Sequence, residues 1–222
     1  MDGVRKREVA RRAFAKELND ATYMLKSGED RSPVYVLTPL GLRCNRVFVI
    51  AALLEKEEVQ PESGIWRIRL ADPTGSFIGY VGRYQPEALE SLMDIEPPIL
   101  AAVTAKVRVF EGVTRTFVSL RPENINIADA EARDYWIIET AKATMNRIRD
   151  MENESSEDAK LAKQIYNPDL NEYRRAVKEA LLRLKEEYEI FERIEEAEEI
   201  AEEDFEFELE EEEFDLSDLL EE

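Results

Sequence analysis

The sequence predicts a mainly β protein: a closed five-stranded barrel with flanking α-helices, then a C-terminal helical extension and an acidic tail. Three observations carry this. First, Trp66, Ile68 and Leu70 alternate with Arg67 and Arg69, a period of two that only an extended strand converts into one apolar and one charged face. Asp72-Pro73-Thr74-Gly75 then supplies turn chemistry, and Phe77 to Val81 returns as a second β-rich run. Second, three further long β-type runs and one short one surround this hairpin, with one short helical segment among them. Third, from Asp129 onward the apolar spacing changes from two to three and four.

Taken in order, Arg5 to Leu18 places Val9, Ala10, Ala13, Phe14 and Leu18 at helical spacing, which predicts a short amphipathic helix. With the polar loop Lys26 to Pro33 it makes up an N-terminal helix and linker over residues 1–33. Val34 to Leu37 reads as a short strand, and Pro39, Gly41 and Asn45 punctuate the turn after it. Val47 to Leu54 is a near-continuous apolar run, expected of a strand buried along most of its length. The hairpin gives the next two strands. Pro86 to Met93, with proline in the first turn and leucines three apart, predicts one helix, ended by Pro97-Pro98. In the next strand Ala101, Val103, Ala105, Val107 and Val109 alternate with Ala102, Thr104, Lys106, Arg108 and Phe110. In the last, Thr116, Val118 and Leu120 face one way and Arg115, Phe117, Ser119 and Arg121 the other. The five strands from Val47 onward, with a helix between the third and fourth, have the order of the oligonucleotide/oligosaccharide-binding (OB) barrel, expected here over residues 34–126.

Beyond the barrel, Asp129 can cap a helix from Ala130 to about Met151. Ile137, Ala141, Thr144, Ile148 and Met151 recur at four, three, four and three, and Trp136, Ile138 and Met145 widen the stripe. Residues 127–152 therefore read either as a bundle helix offering Trp136, Ile137, Ala141, Thr144, Ile148 and Met151 to another subunit, or as a lid over the chain's own barrel. A helical extension over residues 153–200 opens with a capping box at Ser155 and Asp158 and restarts at Asn167-Pro168-Asp169. Its stripe is Leu170, Tyr173, Val177, Leu181, Leu184, Tyr188 and Phe191. In residues 201–222, Phe205, Phe207, Leu209, Phe214, Leu216, Leu219 and Leu220 sit among carboxylates. Self-repulsion predicts disorder there, and the same composition suits a recruitment segment that orders on a basic partner.

The net charge of −20 is not evenly spread. Residues 186–222 hold 21 acids and the single base Arg193, while residues 1–185 hold 29 of each sign. Screening over about 8 Å at physiological salt keeps a detached tail from governing the field at the body. No histidine and one cysteine, Cys44, exclude an internal disulfide and a Cys/His zinc site, and fit a reducing cytoplasm. No apolar run approaches the roughly 18 residues of a membrane span, and the basic N-terminus lacks the apolar core of a secretory signal. Without a Gly-rich phosphate loop or a base beside Cys44, neither an enzyme nor a cofactor or metal site is expected. Binding remains. The outward strand positions gather Arg67, Arg69, Lys106, Arg108, Phe110, Arg115 and Phe117, with Tyr80 and Tyr84 nearby. Cations that follow a backbone and aromatic faces that stack on bases are what single-stranded nucleic acid requires. RNA would be served by the same chemistry. The plainer alternative is that these arginines are solvated strand positions paired with Glu and Asp.

Several motifs together resemble a known family. They are Val34-Tyr35-Val36-Leu37-Thr38-Pro39-Leu40-Gly41, Arg43-Cys44-Asn45-Arg46-Val47-Phe48-Val49, Asp72-Pro73-Thr74-Gly75-Ser76-Phe77, Tyr84-Gln85-Pro86, Arg121-Pro122-Glu123 and Arg133-Asp134-Tyr135-Trp136. Over about residues 5–150 the chain is similar to the archaeal replication protein A-associated family, which resembles the middle subunit of replication protein A. The resemblance implies an OB-fold subunit of a single-stranded-DNA-binding complex, joined to a larger subunit through the helix 129–151. It also allows an assembly scaffold that touches nucleic acid little. Residues beyond 151 depart from the eukaryotic pattern of a winged-helix end.

Overall fold

The computed structural model describes residues 8–25, 34–112 and 116–212. The chain divides into two units, Met1–Leu181 and Leu182–Glu222. The first begins with α1 (Ala15–Asn19), β1 (Tyr23–Leu25), β2 (Tyr35–Leu37) and β3 (Arg43–Cys44). It continues with β4 (Arg46–Glu58), β5 (Trp66–Asp72), β6 (Gly75–Val81), α2 (Pro86–Asp94), β7 (Ile99–Glu111) and β8 (Thr116–Ile127). Strands β4-β5-β6-β8-β7 close into a barrel. All neighbours are antiparallel except at the seam, where Gly79 of β6 meets Leu120 of β8 in parallel. This strand order, with α2 between the third and fourth strands, is the OB fold.

The expected hairpin forms with Asp72 opposite Gly75. Asp72 Oδ1 accepts from the amides of Thr74 (2.7 Å) and Gly75 (3.0 Å), and its Oδ2 accepts from the amide of Ala15 (2.7 Å). One carboxylate thus closes the turn and holds α1 against it. Val47, Val49, Leu53, Ile68, Leu70, Phe77, Val81, Val103, Val107 and Leu120 fill the interior, each contributing about 1.5–3 kcal/mol by burial. Position 79 must be glycine, since a Cβ there would lie 2.9 Å from Ile68 Cγ1.

Three expectations are corrected here. The N-terminal helix is confined to α1. Upstream of it the chain is extended along the start of β4, where Arg11 donates to Arg46 O and accepts from Phe48 N, both at 2.9 Å. An open strand edge satisfies backbone groups more fully than a helix too short to repay its nucleation. Arg5, Lys6 and Arg7 lie outside the described residues. Residues 35–44 are not barrel: β1-β2-β3 form a sheet of their own, and the barrel occupies 46–127.

The third correction concerns α3 (Ala130–Asn153), capped by Asp129, which accepts from Ala132 N at 2.7 Å. Trp136, Ile137, Ala141, Thr144, Ile148 and Met151 do share one face, but that face is covered by the chain itself, each being at most 3% exposed. The closed barrel is not what covers it all; the small sheet and the helices after α3 contribute. Trp136 meets Phe14 edge-on at 5.6 Å and donates from Nε1 to Phe48 O. Ile148 and Met151 join Leu37, Leu40, Ala159, Ala162 and Tyr173 in a second core. Thr140 and Thr144 return their hydroxyls to carbonyls four residues back. Arg147 reaches the buried Glu17 carboxylate at 2.6 Å, and Thr38 donates to Glu17 as well.

Helix α4 (Glu157–Tyr166) is capped by Ser156, which accepts from Ala159 N, one residue later than the expected Ser155. Gly41, at φ +78°, lies under it, where a Cβ would stand 3.1 Å from the Ala159 backbone. The Tyr166 hydroxyl accepts from the amides of Thr22 and Tyr23 and donates to Leu37 O. Helix α5 runs from Leu170 to Glu212. Past residue 201, where the sequence suggests either disorder or a recruitment segment, helix runs through a stretch dominated by glutamate, a strong helix former. Residues 213–222, with Phe214, Leu216, Leu219 and Leu220, lie outside the described residues.

Candidate nucleic-acid interface

Alternation decides which residues point outward, and register decides whom they meet. On β5, Ile68 and Leu70 point in and Arg67 and Arg69 out, as expected. Across the ladder Arg67 lies opposite Glu57 and Arg69 opposite Glu55. Both close ion pairs, at 2.7 and 2.5 Å. Arg69 holds the Glu55 carboxyl below its usual range through that hydrogen bond, and Glu55 raises Arg69 in turn. This wall of the barrel is neutral, so Arg67 and Arg69 answer to the plainer alternative.

The face that begins at β6 differs, although Tyr80 there lies directly across the ladder from Arg67. Ser63 and Ile65 before β5, Tyr80 on β6, Arg83, Tyr84 and Gln85 in the loop to α2, and Arg108, Phe110, Ser119 and Arg121 on β7 and β8 line an open cavity of about 600 Å³. It is fixed by the β6–β8 seam, which brings Tyr80 beside the β8 residues flanking Leu120. Three guanidinium groups line it and no carboxylate does. Arg83 lies over the Tyr84 ring at 4.9 Å and donates to its hydroxyl. Arg108 lies opposite Ser119, and neither Arg108 nor Arg121 has an ion-pair partner among the described residues.

Aromatic surface is available at both ends. Phe110 and Phe117 are cross-strand partners on the β7–β8 hairpin. Their rings stack at 5.4 Å with an interplanar angle of 18°, although they are 47% and 39% exposed. Tyr84 is 73% exposed. Two exposed phenyl faces and two tyrosines around guanidinium groups free of carboxylates can stack bases and hold phosphates.

Of the sequence-predicted residues, the cavity therefore collects Tyr80, Arg108 and Phe110, with Phe117 stacked behind Phe110. Lys106 points outward but stands beside the cavity, 3.8 Å from Glu123. Arg115 lies outside the described residues. Arg83 and Gln85 are additions that strand alternation does not provide. Their only sequence signal is the Gly82-Arg83-Tyr84-Gln85-Pro86 connection, which reads first as a strand end. The lone thiol, Cys44, is buried, and burial pushes it up to about 12, so it is inert. Among the described residues no cluster of His, Cys, Asp and Glu could hold a metal ion, and no helix is long and apolar enough to cross a membrane.

No protein-family model and no curated protein matches the chain. Among solved structures, a replication protein A heterotrimer bound to single-stranded DNA aligns at TM-score 0.45 and 11% identity, over 63% of this chain and 98% of that one. The mitochondrial single-stranded-DNA-binding protein Rim1 of S. cerevisiae aligns at TM-score 0.31 and 18% identity, over 38% and 94%. An OBody bound to hen egg-white lysozyme aligns at TM-score 0.33 and 16% identity, over 38% and 94%. With TM-scores below 0.5, these alignments add no weight to the strand order already described.

Proposed function

We propose that the chain is a non-enzymatic OB-fold subunit of a replication protein A-like complex that holds single-stranded DNA in replication, repair and recombination, in the cytoplasm. The observation that carries this reading is the cavity with three guanidinium groups, exposed aromatic rings and no carboxylate. Arg108 and Arg121 take phosphates, while Tyr80, Tyr84 and the Phe110–Phe117 stack take bases. A duplex hides its base faces and fits the cavity poorly. A larger subunit docks on the outer face of α3, where Tyr135, Ile138 and Met145 remain exposed at helical spacing. The acidic stretch of α5 recruits a basic partner.

Fluorescence anisotropy of the full chain with single-stranded DNA, duplex DNA and RNA tests this. The expected order places single-stranded DNA well ahead of duplex. Replacing Arg108 and Arg121 together by Gln lowers affinity about tenfold or more and flattens the salt dependence by about 1.4, or about 0.7 for each phosphate no longer neutralised. Unchanged affinity and slope would leave the scaffold reading, which the neutral β4–β5 wall favours. Tighter binding of RNA would reassign the ligand.

A further inference from the structure

Outside the cavity, a second line of cations crosses the barrel wall, and its order follows from register alone. Arg121 on β8 lies opposite Lys106 on β7, and Lys106 lies opposite Arg46 on β4. Beyond Arg46 the free edge of β4 is occupied by the extended segment at Arg11, bridged to Val47. The next residue, Arg12, reaches over the ring of Phe48 at 5.8 Å. Directly paired residues point to the same side of a sheet, and Arg46 and Phe48 share a face with a period of two. Arg12, Arg46, Lys106 and Arg121 therefore form one outward row across four adjacent backbone segments, with neighbours about 4.8 Å apart.

Among the described residues the carboxylate ion-paired to the row is Glu123, and its hydrogen bonds show which cation it neutralises. Arg46 is only 11% exposed and grips Glu123 with Nε at 2.6 Å and an Nη at 2.8 Å. Lys106 stays 44% exposed at the outer limit of an ion pair. Arg12 is exposed and has no ion-pair partner among the described residues. Arg46 thus satisfies Glu123 and leaves Lys106, Arg121 and Arg12 with a surplus of positive charge, continuous with Arg108 in the cavity.

We infer that this row is an exit track for the phosphate backbone: single-stranded DNA leaving the cavity past Arg121 crosses β7 at Lys106 and ends at Arg12. The inference rests on the cavity being the DNA site. Arg46 is a positioning residue, holding Glu123 away from the strand. The half-buried Phe48 ring under Arg12 gives the far end an aromatic face.

The track makes affinity depend on oligonucleotide length in a way the cavity does not. Anisotropy on the full chain compares an oligothymidylate of about 6 nucleotides, enough for the cavity, with one of about 20. Arg12 and Lys106 are solvent-facing, so R12Q/K106Q keeps its thermal unfolding midpoint. Its affinity for the longer strand falls about five- to tenfold and its salt slope flattens by about 1.4, while binding of the short strand is unchanged. Arg108→Gln weakens both lengths. Unchanged binding of the longer strand by R12Q/K106Q, with Arg108→Gln still effective, overturns the track and leaves the cavity standing. An equal loss at both lengths also overturns the track, because the two cations would then act at the cavity. If Arg108→Gln affects neither length, the cavity assignment fails and the track falls with it.

Discussion

The two walls of the barrel carry outward arginines that look alike in the sequence and behave differently in the fold. On β5, Arg67 and Arg69 sit two residues apart, and the register of β4 sets a glutamate opposite each. On β7 and β8, Arg108 faces Ser119 and Arg121 faces Lys106, so neither is neutralised across its ladder. Exposure does not distinguish the walls, since Arg67 and Arg69 are 40% and 37% exposed. The identity of the residue one strand away does. A basic strand face is an anion site only when its cross-strand neighbours leave the charge unspent.

Substitutions can break this contrast or sharpen it. The largest effect is expected at the aromatic end of the charged wall. Phe110→Ala removes a stacking surface of about 1–3 kcal/mol per base, which by anisotropy is a drop of about fivefold to over a hundredfold in affinity. A smaller effect of opposite sign follows from removing the glutamates. Glu55→Gln with Glu57→Gln frees Arg67 and Arg69, and affinity should rise a few-fold with a steeper salt dependence. The smallest effect is for Arg67→Gln with Arg69→Gln. DNA binding should change by less than about twofold, and stability in urea by no more than about 1 kcal/mol, because exposed ion pairs contribute little. A large loss of DNA binding in that last variant would erase the distinction between the walls.

The same contrast explains which parts of the chain are legible in its sequence. Strand alternation is local, so the hairpin at Asp72 to Gly75, the inward Ile68 and Leu70, and the outward Arg108 and Phe110 follow from sequence. Register is not local. Nothing near Arg67 announces Glu57, ten residues earlier across a loop, and nothing near Lys106 announces Arg46. The helix α3 shows the same limit. Its stripe from Trp136 to Met151 reads correctly as one buried face. Its cover comes in part from Phe14, Leu37, Ala159 and Tyr173, scattered over the chain, which periodicity cannot assign. Arg11 in extended backbone, in place of the expected helix, reflects an open edge on β4 that exists only once the barrel is built. Tyr84 and Arg83 become binding surface because the loop after β6 passes beside β8, again a consequence of closure.

Photocrosslinking of the full chain to a single strand carrying iododeoxyuridine, with the sites read by mass spectrometry, tests the central claim most directly. The account predicts crosslinks at Tyr80, Tyr84 and Phe110 that disappear in excess unlabelled strand. Crosslinks concentrated on β4 and β5, with none at those three rings, would contradict it.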